Sequence, residues 1–239
     1  MSSNLKSSYS YYVSRILNII SCGLYTRWCQ RRDLQIQGKL MKLYGEKILI
    51  TLNEICSSCD KSIWLEFGTL LGAYREHNFI RHDYDMDLGM YFDEYDDDFE
   101  ACLINNGFKK IHHFIQCRLG NRFLTEVTWE YEGFHVDIFL CIREEGRRHI
   151  FCYGKKDEET FSQNKWEVLD YTLPEAYPLE VVYINNVICK APAHVIECLK
   201  KYYGDGFMIP DKGSSATDKT DRVNVWNIDC AFAEIVIDN

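Results

Sequence analysis

The sequence predicts an α+β domain, a mixed β-sheet flanked by helices, with helical additions at the amino-terminal and carboxyl-terminal ends. Three observations predict this class. Apolar residues recur at helical spacing over residues 38–57. Residues 109–152 show instead the pattern of strands separated by glycines. Between these regions short strand-like and helix-like segments alternate, so that helices and strands are interspersed along the chain.

Composition limits the classes of protein to consider. The chain has 239 residues, and its 46% hydrophobic content is enough for one large globular domain. A formal net charge of −9 argues against an electrostatic nucleic-acid surface, so we expect no nucleic-acid partner. The eleven cysteines are odd in number and scattered, which indicates reduced thiols and a cytoplasmic protein.

Residues 1–37 form a predicted amino-terminal helical segment. Its apolar stretch, residues 16–25, is far too short to span a bilayer and lacks a clear small-residue cleavage site. Arginines flank that stretch, so residues 15–32 could lie peripherally on an anionic membrane surface, at the inner face of the membrane. A terminal helix docked on the domain is the alternative.

The next elements follow from apolar periodicity in chain order. Leu40, Ile48 and Leu52 share one face of the helix predicted over 38–57, which should end near 56–60. After it come a predicted strand over 62–67, a helix over 69–77, a strand over 86–92 and a helix over 96–105.

The second half of the chain is predicted to be rich in strands. Gly120, Gly133 and Gly146 separate the strands between 109 and 152, of which Phe134–Leu140 is the most strand-like. Further on, 169–174 and 178–190 look extended, 193–203 looks helical, 211–222 resembles a mobile loop or lid, and 223–237 regains apolar residues and should pack. The chain thus divides into a central domain, 38–210, and a carboxyl-terminal loop and packed tail, 211–239.

Three aspartates, Asp83, Asp85 and Asp87, occupy alternate positions at the entrance to the strand predicted over 86–92. Side chains two apart in a strand point to one face, so Asp85 and Asp87 can bind one divalent cation together. Like charges this close repel each other and lose water on folding, and a cation offsets that cost. Mg²⁺ prefers such carboxylate oxygens, with Mn²⁺ as the alternative cofactor.

A third carboxylate would complete this metal site. Asp137 lies in the strand predicted over 134–140, between Val136 and Ile138, where an isolated carboxylate needs a partner. We therefore predict Asp85, Asp87 and Asp137 as the metal ligands.

A predicted phosphate site lies nearby in the sequence. Gly68 and Thr69 form a turn that opens a short helix, and a helix N-terminus offers N–H groups and a positive dipole end to a phosphate. Arg75, on the same helix, could bind a phosphate bidentately, or could pair with Glu66 or the acidic cluster. His82 could bond a carboxylate or a substrate oxygen. The predicted substrate-binding residues are Gly68, Thr69, Arg75, His82 and Asp83.

Two other interpretations of the acidic residues are weaker. Asp83, Asp85 and Asp87 have the spacing of an EF-hand calcium loop, but Leu88 stands where that loop requires a glycine. The acidic run 93–98 lies at a predicted helix start, where it favours the helix dipole and is usually solvated. The magnesium interpretation is therefore kept.

Four motifs in order carry a resemblance to a known family. They are Trp64-Leu-Glu-Phe-Gly-Thr-Leu-Leu-Gly-Ala-Tyr-Arg75, Phe79-Ile80 leading into Asp83-x-Asp85-x-Asp87, Val136-Asp-Ile-Phe139, and Asn186-Val-Ile-Cys-Lys-Ala-Pro192 running into Leu199-Lys-Lys-Tyr-Tyr-Gly204-Asp205. With these motifs, residues 40–210 resemble the LicD family, related to fukutin and fukutin-related protein. Arg81-His82 replaces the usual Pro-Trp, and Tyr84 stands where many members have another aspartate. These departures touch the acceptor side or loop packing and leave the inferred metal ligands in place.

The resemblance implies a nucleotidyltransferase-like fold over 38–210 and a phosphotransferase activity. Such enzymes take a CDP-activated alcohol, such as CDP-choline, CDP-ribitol or CDP-glycerol, and pass its phospho-alcohol group to a sugar hydroxyl, releasing CMP. The implied partners are this donor and a glycan or lipid-linked glycan acceptor, as in the biosynthesis of capsule or lipopolysaccharide. Asp85, Asp87 and Asp137 would be the catalytic residues and would hold the metal, and Asp137 or Asp87 could accept the hydroxyl proton.

Two other functions are compatible with the same residues. A true nucleotidyltransferase would move NMP from an NTP to a small acceptor, and would release pyrophosphate instead of CMP. A catalytically silent protein would keep the fold for recognition of a glycan or a partner. The intact carboxylates favour an enzyme.

Overall fold

The computed structural model describes residues 24–81, 83–210, 221–229 and 231–238. Its helices are α1 (Leu24–Cys59), α2 (Phe67–Glu76), α3 (Asp97–Asn105), α4 (Glu158–Ser162) and α5 (Val195–Tyr203). Its strands are β1 (Trp64–Leu65), β2 (Met86–Tyr91), β3 (Lys109–Arg118), β4 (Asn121–Tyr131), β5 (Phe134–Glu144), β6 (Arg147–Gly154), β7 (Glu167–Pro174), β8 (Glu180–Ile184), β9 (Val187–Ala191), β10 (Asn224–Val225) and β11 (Ala231–Ile237). This mixture confirms the predicted α+β class.

Helix α1 is longer than its periodicity predicted, because within the described residues it already includes Leu24 and runs without a break across residue 37. Ile48 and Leu52 are buried in the main apolar core. The helix ends where Asp60 adopts a positive φ of 54°. Residues 15–23 of the predicted membrane-surface segment lie outside the described residues. None of the described helices combines the length and apolarity that crossing a bilayer requires.

Strand β1 is only two residues long, although the sequence predicted a strand over 62–67. It stops because Phe67 adopts a left-handed φ of 40° and begins α2, two residues earlier than predicted. Glu66, between strand and helix, is the extended N-cap residue of α2. The chain therefore turns sharply from the sheet into α2 at residues 66–68.

In the described chain, nine strands form one sheet in which β10, β7, β6, β5, β4, β3 and β11 are successive neighbours. Strand β2 is parallel to β5 and antiparallel to β1, whereas the other pairings are antiparallel. The turns after β4 and β5 need left-handed backbone, with φ of 82° at Gly133 and 72° at Gly146, which glycine supplies at no steric cost. The predicted mixed sheet is confirmed, and β8 and β9 form a separate hairpin.

The sheet curls on itself. Strand β11 pairs along β3, and Ala233 of β11 also exchanges two backbone hydrogen bonds, of 2.8 and 2.9 Å, with Trp166 just before β7. Residues 223–237, which the sequence predicted to pack, contain β10 and β11, whereas 211–220 of the predicted loop lie outside the described residues. Helix α5 packs on β7 and α2, so that α2, α5 and the curled sheet surround a common space.

Candidate active site

Two neighbouring strands bring the predicted metal ligands together. Asp87 on β2 and Asp137 on β5 are direct partners in the parallel register, so both side chains project from the same face of the sheet. Asp85 lies one residue before β2. One carboxylate oxygen from each of the three residues lies within 4.8 Å of the other two. Alternation along the chain thus places Asp85 beside Asp87, and the pairing of β2 with β5 adds Asp137 to the same cluster.

Burial makes these carboxylates costly to ionise. Burial, with the neighbouring charge of Asp85, raises the pKa of Asp137 to about 7. Burial and the charges of Asp85, Asp83 and Asp137 raise the pKa of Asp87 well above its ordinary value. The pKa of Asp85 is also raised, mainly by burial. A bound cation would offset this repulsion.

The turn that opens α2 contacts Asp87. The N–H of Gly68 donates to Asp87 Oδ2 at 3.2 Å, and the N–H of Asp87 donates to Thr69 Oγ1 at 2.9 Å. Thr69 is only 1% exposed. The Thr69 hydroxyl thus accepts a hydrogen bond from β2, because α2 begins directly over that strand, and its predicted role in binding substrate stays a prediction. Gly68 lines the cavity described below, and its N–H is directed at Asp87.

Asp83 lies against the same turn. A Cβ at Gly68 would overlap Asp83 Oδ2, so the glycine allows this carboxylate to approach the helix start. Asp83 Oδ2 is buried and has no hydrogen-bond partner among the described residues. Burial, with the charge of Asp85, raises the pKa of Asp83 to about 7. Asp83 is thus a further acidic group at the site, with one oxygen left for a polar ligand.

Arg75 lines the cavity, where the sequence predicted a phosphate-binding residue. Its Nη2 lies 2.6 Å from Glu76 Oε1, and its Nη1 donates to the Phe207 carbonyl at 3.5 Å. The alternative partner that the sequence offered, Glu66, is not the one found. Arg75 is therefore held at the cavity wall by its immediate neighbour on the same helix.

Glu66 has a different partner, and sequence reasoning missed its importance. Its carboxylate is fully buried and forms an ion pair with the fully buried Arg148 of β6. Trp64 Nε1 donates to Glu66 Oε1 at 2.6 Å, and the Tyr202 hydroxyl donates to Oε2 at 2.8 Å. The available signal was a carboxylate inside the apolar segment 62–67, the same kind of signal that identified Asp137.

Glu126 on β4 is a second residue that sequence reasoning missed. It lies opposite Phe139 of β5, while Thr128 lies opposite Asp137, so these side chains share the face of the catalytic candidates. Thr128 Oγ1 donates to Asp137 Oδ1 at 2.5 Å. Burial, with the charges of Asp137 and Asp85, raises the pKa of Glu126 well above its ordinary value. Period-two alternation on β4 becomes informative only when its pairing with β5 is known.

The acidic residues open into a cavity of about 1000 Å³ between α2, α5 and the curled sheet. Its charged lining residues in the described chain are Arg75, Glu76, Arg81, Asp83, Asp85, Asp87, Glu126 and Asp137. Carboxylates outnumber arginines in this lining, so a phosphate-bearing ligand needs a cation here. Arg81 was not among the predicted substrate-binding residues, and the predicted substrate-binding residue His82 lies outside the described residues.

The donor atoms suit a divalent cation. Three carboxylate oxygens are the hard ligands that Mg²⁺ and Mn²⁺ prefer. Because these oxygen atoms all lie within 4.8 Å of one another, the three side chains are close enough to bind one ion together. Asp85, Asp87 and Asp137 could therefore hold a metal ion.

Comparison with known proteins agrees with this geometry. A family model described as LicD/FKTN/FKRP, nucleotidyltransferase domain, matches residues 61–194, which is more than half of the chain. The match extends from β1 to β9 and includes all three candidate metal ligands. An uncharacterized protein of Rickettsia typhi is 25% identical over 172 residues, which cover 70% of this chain. The chain spans about half, 47%, of the length of that relative.

Proposed function

Because the chain belongs to the LicD/FKTN/FKRP family, a family of transferases, we propose that it transfers a phospho-alcohol group from a CDP-activated donor to a sugar hydroxyl and releases CMP. The donor is a CDP derivative of choline, ribitol or glycerol. The acceptor is a surface glycan or its lipid-linked precursor. The reaction depends on Mg²⁺, for which Mn²⁺ can substitute.

One observation carries this proposal: Asp85, Asp87 and Asp137 meet beside the start of α2 in a single cavity. At about 1000 Å³ the cavity is at the upper end of the range typical of small-molecule sites. It therefore has room for a nucleotide diphosphate donor together with the reacting part of an acceptor.

In this proposal Asp85, Asp87 and Asp137 hold the divalent cation, which when bound neutralises charge on the diphosphate and on the departing CMP. Arg75 and Arg81 line the same cavity and add positive charge on the side of the phosphates. Without these groups, the acidic wall would repel the donor.

The transfer itself exchanges one bond for another. The sugar oxygen bonds to the phosphorus that carries the alcohol, and the bond from that phosphorus to the CMP oxygen breaks. The hydroxyl proton passes to Asp87 or Asp137, because a carboxylate beside the cation can both orient the hydroxyl and deprotonate it. Most of the catalytic effect then comes from positioning and electrostatics.

Release of CMP tests the proposal directly. The protein is incubated with Mg²⁺, with CDP-choline, CDP-ribitol or CDP-glycerol, and with a panel of glycans, and CMP is quantified by chromatography. We expect CMP release with at least one donor, its loss in EDTA, and its recovery with Mg²⁺ or Mn²⁺. Asp85→Asn is the matched inactive variant for this assay, since it removes the charge of a proposed metal ligand with almost no change in the shape of the side chain.

Three other outcomes would support a different function or contradict the proposed one. Release of pyrophosphate from an NTP, with no CMP from any CDP-alcohol, would establish a true nucleotidyltransferase. Glycan binding without either product would favour a recognition protein. CMP release that persists in EDTA would contradict the role given to the three aspartates.

A further inference from the structure

Residues 66–69, here called the 66–69 turn, hold Asp87 through both its backbone and its side chain. The N–H of Glu66 donates to the Asp87 carbonyl at 3.0 Å. The N–H of Gly68 donates to Asp87 Oδ2 at 3.2 Å, and Thr69 Oγ1 accepts from the Asp87 N–H at 2.9 Å. The orientation of the Asp87 carboxylate therefore depends on a segment that lies outside β2.

The 66–69 turn needs external support. Phe67 has a φ of 40°, a left-handed conformation that bulky L residues rarely adopt. Glu66 is the N-cap residue of α2, yet its side chain makes no capping hydrogen bond to the helix. Local interactions within the turn thus do not explain why its backbone keeps this shape.

The Phe67 ring packs against Phe139 and Tyr202. The Glu66 side chain adds polar support, because both of its carboxylate oxygens accept hydrogen bonds. Oε1 accepts from Trp64 Nε1 at 2.6 Å and from Arg148, and Oε2 accepts from the Tyr202 hydroxyl at 2.8 Å. Arg148 Nε in turn donates to the Pro174 carbonyl at 3.1 Å. The carboxylate therefore ties the 66–69 turn to β1, to β6, to the end of β7 and to α5.

A buried ion pair alone is weak evidence for a role in stability, since apolar replacement of both partners is often neutral. The position of this pair is more informative than its energy. Glu66 adjoins the left-handed Phe67, and the Glu66 N–H bonds Asp87 directly. The Glu66 carboxylate is therefore connected, through the backbone of its own residue, to the groups that bond Asp87.

We infer that Glu66 and Arg148 are positioning residues, which orient the Asp87 carboxylate toward Asp85 and Asp137 through the 66–69 turn. Neither residue is among those that line the cavity, so they act without touching substrate. The inference rests on the proposed function for the assignment of Asp87 as a metal ligand.

Binding of Mn²⁺ alone to the full-length protein, followed by the electron paramagnetic resonance signal of the free ion, tests the inference. Glu66→Gln keeps the shape of the side chain and removes its charge. We expect its Mn²⁺ affinity to fall by about 10- to 100-fold, the usual effect of removing the support of a metal ligand. A merely structural role would lower stability and leave this affinity unchanged.

The matched control breaks another polar contact of β6 with its neighbour β7. Asp170→Asn weakens the contact of the buried Asp170 carboxylate with His149 Nδ1, now at 2.9 Å, and neither residue lines the cavity. We expect this variant to lose stability in urea but to keep its Mn²⁺ affinity within about twofold, as distant independent sites do.

Near-ultraviolet circular dichroism verifies that each variant is folded. Should Glu66→Gln fail to fold, Tyr202→Phe removes only one donor to Glu66 and is expected to show a smaller loss of Mn²⁺ affinity. A folded Glu66→Gln protein, or in its absence a folded Tyr202→Phe protein, with wild-type affinity would overturn the inference. So would a wild-type protein that binds no Mn²⁺.

CMP release is recorded separately for the same proteins. Wild-type protein that binds Mn²⁺ but releases no CMP from any donor contradicts the proposed function, and the comparison of Mn²⁺ affinities still decides the role of Glu66. Where CMP is released, we expect Glu66→Gln to need more Mn²⁺ for half-maximal rate, whereas Asp170→Asn needs the same amount.

Discussion

Asp87 and Asp137 face each other directly across the parallel pair β2 and β5, although they are far apart in the sequence. Like charges in directly opposite positions destabilise a sheet. Burial and the charge of Asp85 raise the pKa of both carboxyl groups, and the charge of Asp137 adds to the rise at Asp87. The pair of carboxylates therefore lowers the stability of the metal-free protein, whereas metal binding requires both of them. These two effects can be measured separately.

Replacement of either aspartate by asparagine should have opposite effects on activity and on the stability of the metal-free protein. We expect Asp87→Asn and Asp137→Asn to lower the rate of CMP release by at least about 100-fold, because even indirect support of a metal ligand is worth 10- to 100-fold. In EDTA, their free energy of unfolding in urea should equal or exceed that of the wild type, because a buried like charge is gone. Activity retained in either variant would remove that residue from the site.

A bound divalent cation should stabilise the folded protein. An ion at 100 times its Kd adds about 2.7 kcal/mol to the free energy of unfolding, which for a chain of this size raises Tm by roughly 5 to 10 °C. Thermal unfolding with Mg²⁺, with Mn²⁺ and with EDTA measures this shift. The Asp85→Asn protein should show little of it, and an equal shift in that variant would place the ion elsewhere.

Gly68→Ala should damage the site through steric overlap. The new Cβ would collide with Asp83 Oδ2, so the 66–69 turn or Asp83 must move. We expect a loss of about 1 to 3 kcal/mol in the free energy of unfolding, together with loss of most CMP release. Gly38→Ala is the matched control, since its Cβ would meet Tyr84 Cδ1 at an ordinary 3.5 Å. Because alanine favours a helix, this control should be neutral or up to about 1 kcal/mol more stable.

Glu126 should make the stability of the metal-free protein depend on pH. Burial raises its pKa well above the ordinary 4.5, so the folded state keeps a proton that the unfolded state loses. The free energy of unfolding therefore falls as pH rises above 4.5, until the pKa of the folded state is passed. Urea unfolding in EDTA should show Glu126→Gln gaining on the wild type between pH 5 and pH 8. A difference that stays constant with pH would show that Glu126 is not desolvated.

The pair of His149 and Asp170 should also lower the free energy of unfolding as pH rises, because the pair stabilises the protein only while His149 is protonated. A hydrogen bond with Asp170 raises the pKa of His149 above 6.5, against the effect of burial, with Glu144 adding to the rise and Arg118 opposing it. The resulting stabilisation is complete below pH 6.5 and is lost as pH rises through the raised pKa. The excess stability of the wild type over His149→Gln in urea should thus be larger at pH 5.5 than at pH 8.5. An advantage that grows with pH would refute the pairing.

Local sequence rules were sufficient for part of the site. The alternation of Asp85 and Asp87 and the isolation of Asp137 within an apolar strand each indicated a metal ligand, and the structure brings these three side chains together. The same rule applied to Glu66 would have indicated a buried partner. It could not have said which one, because Arg148 belongs to β6 and reaches Glu66 only through the curl of the sheet.

The start of α2 shows what such rules leave out. A glycine and a threonine at a helix N-terminus predict a phosphate site. In the folded protein the pairing of β1 with β2 brings Asp87 against this turn, and Gly68 and Thr69 bond Asp87. Groups that the sequence offered to a ligand are thus used to hold a side chain of the site itself.

By itself the sequence determined the α+β class, the order of most of its elements and the three aspartates that meet, because periodicity and an isolated charge in an apolar run are local properties. Only the tertiary structure decided that β2 lies parallel to β5, that Glu66 pairs with Arg148, and that Glu126 faces the cavity. Each of these depends on contacts between segments distant in the chain, whose pairing and register a local pattern does not specify.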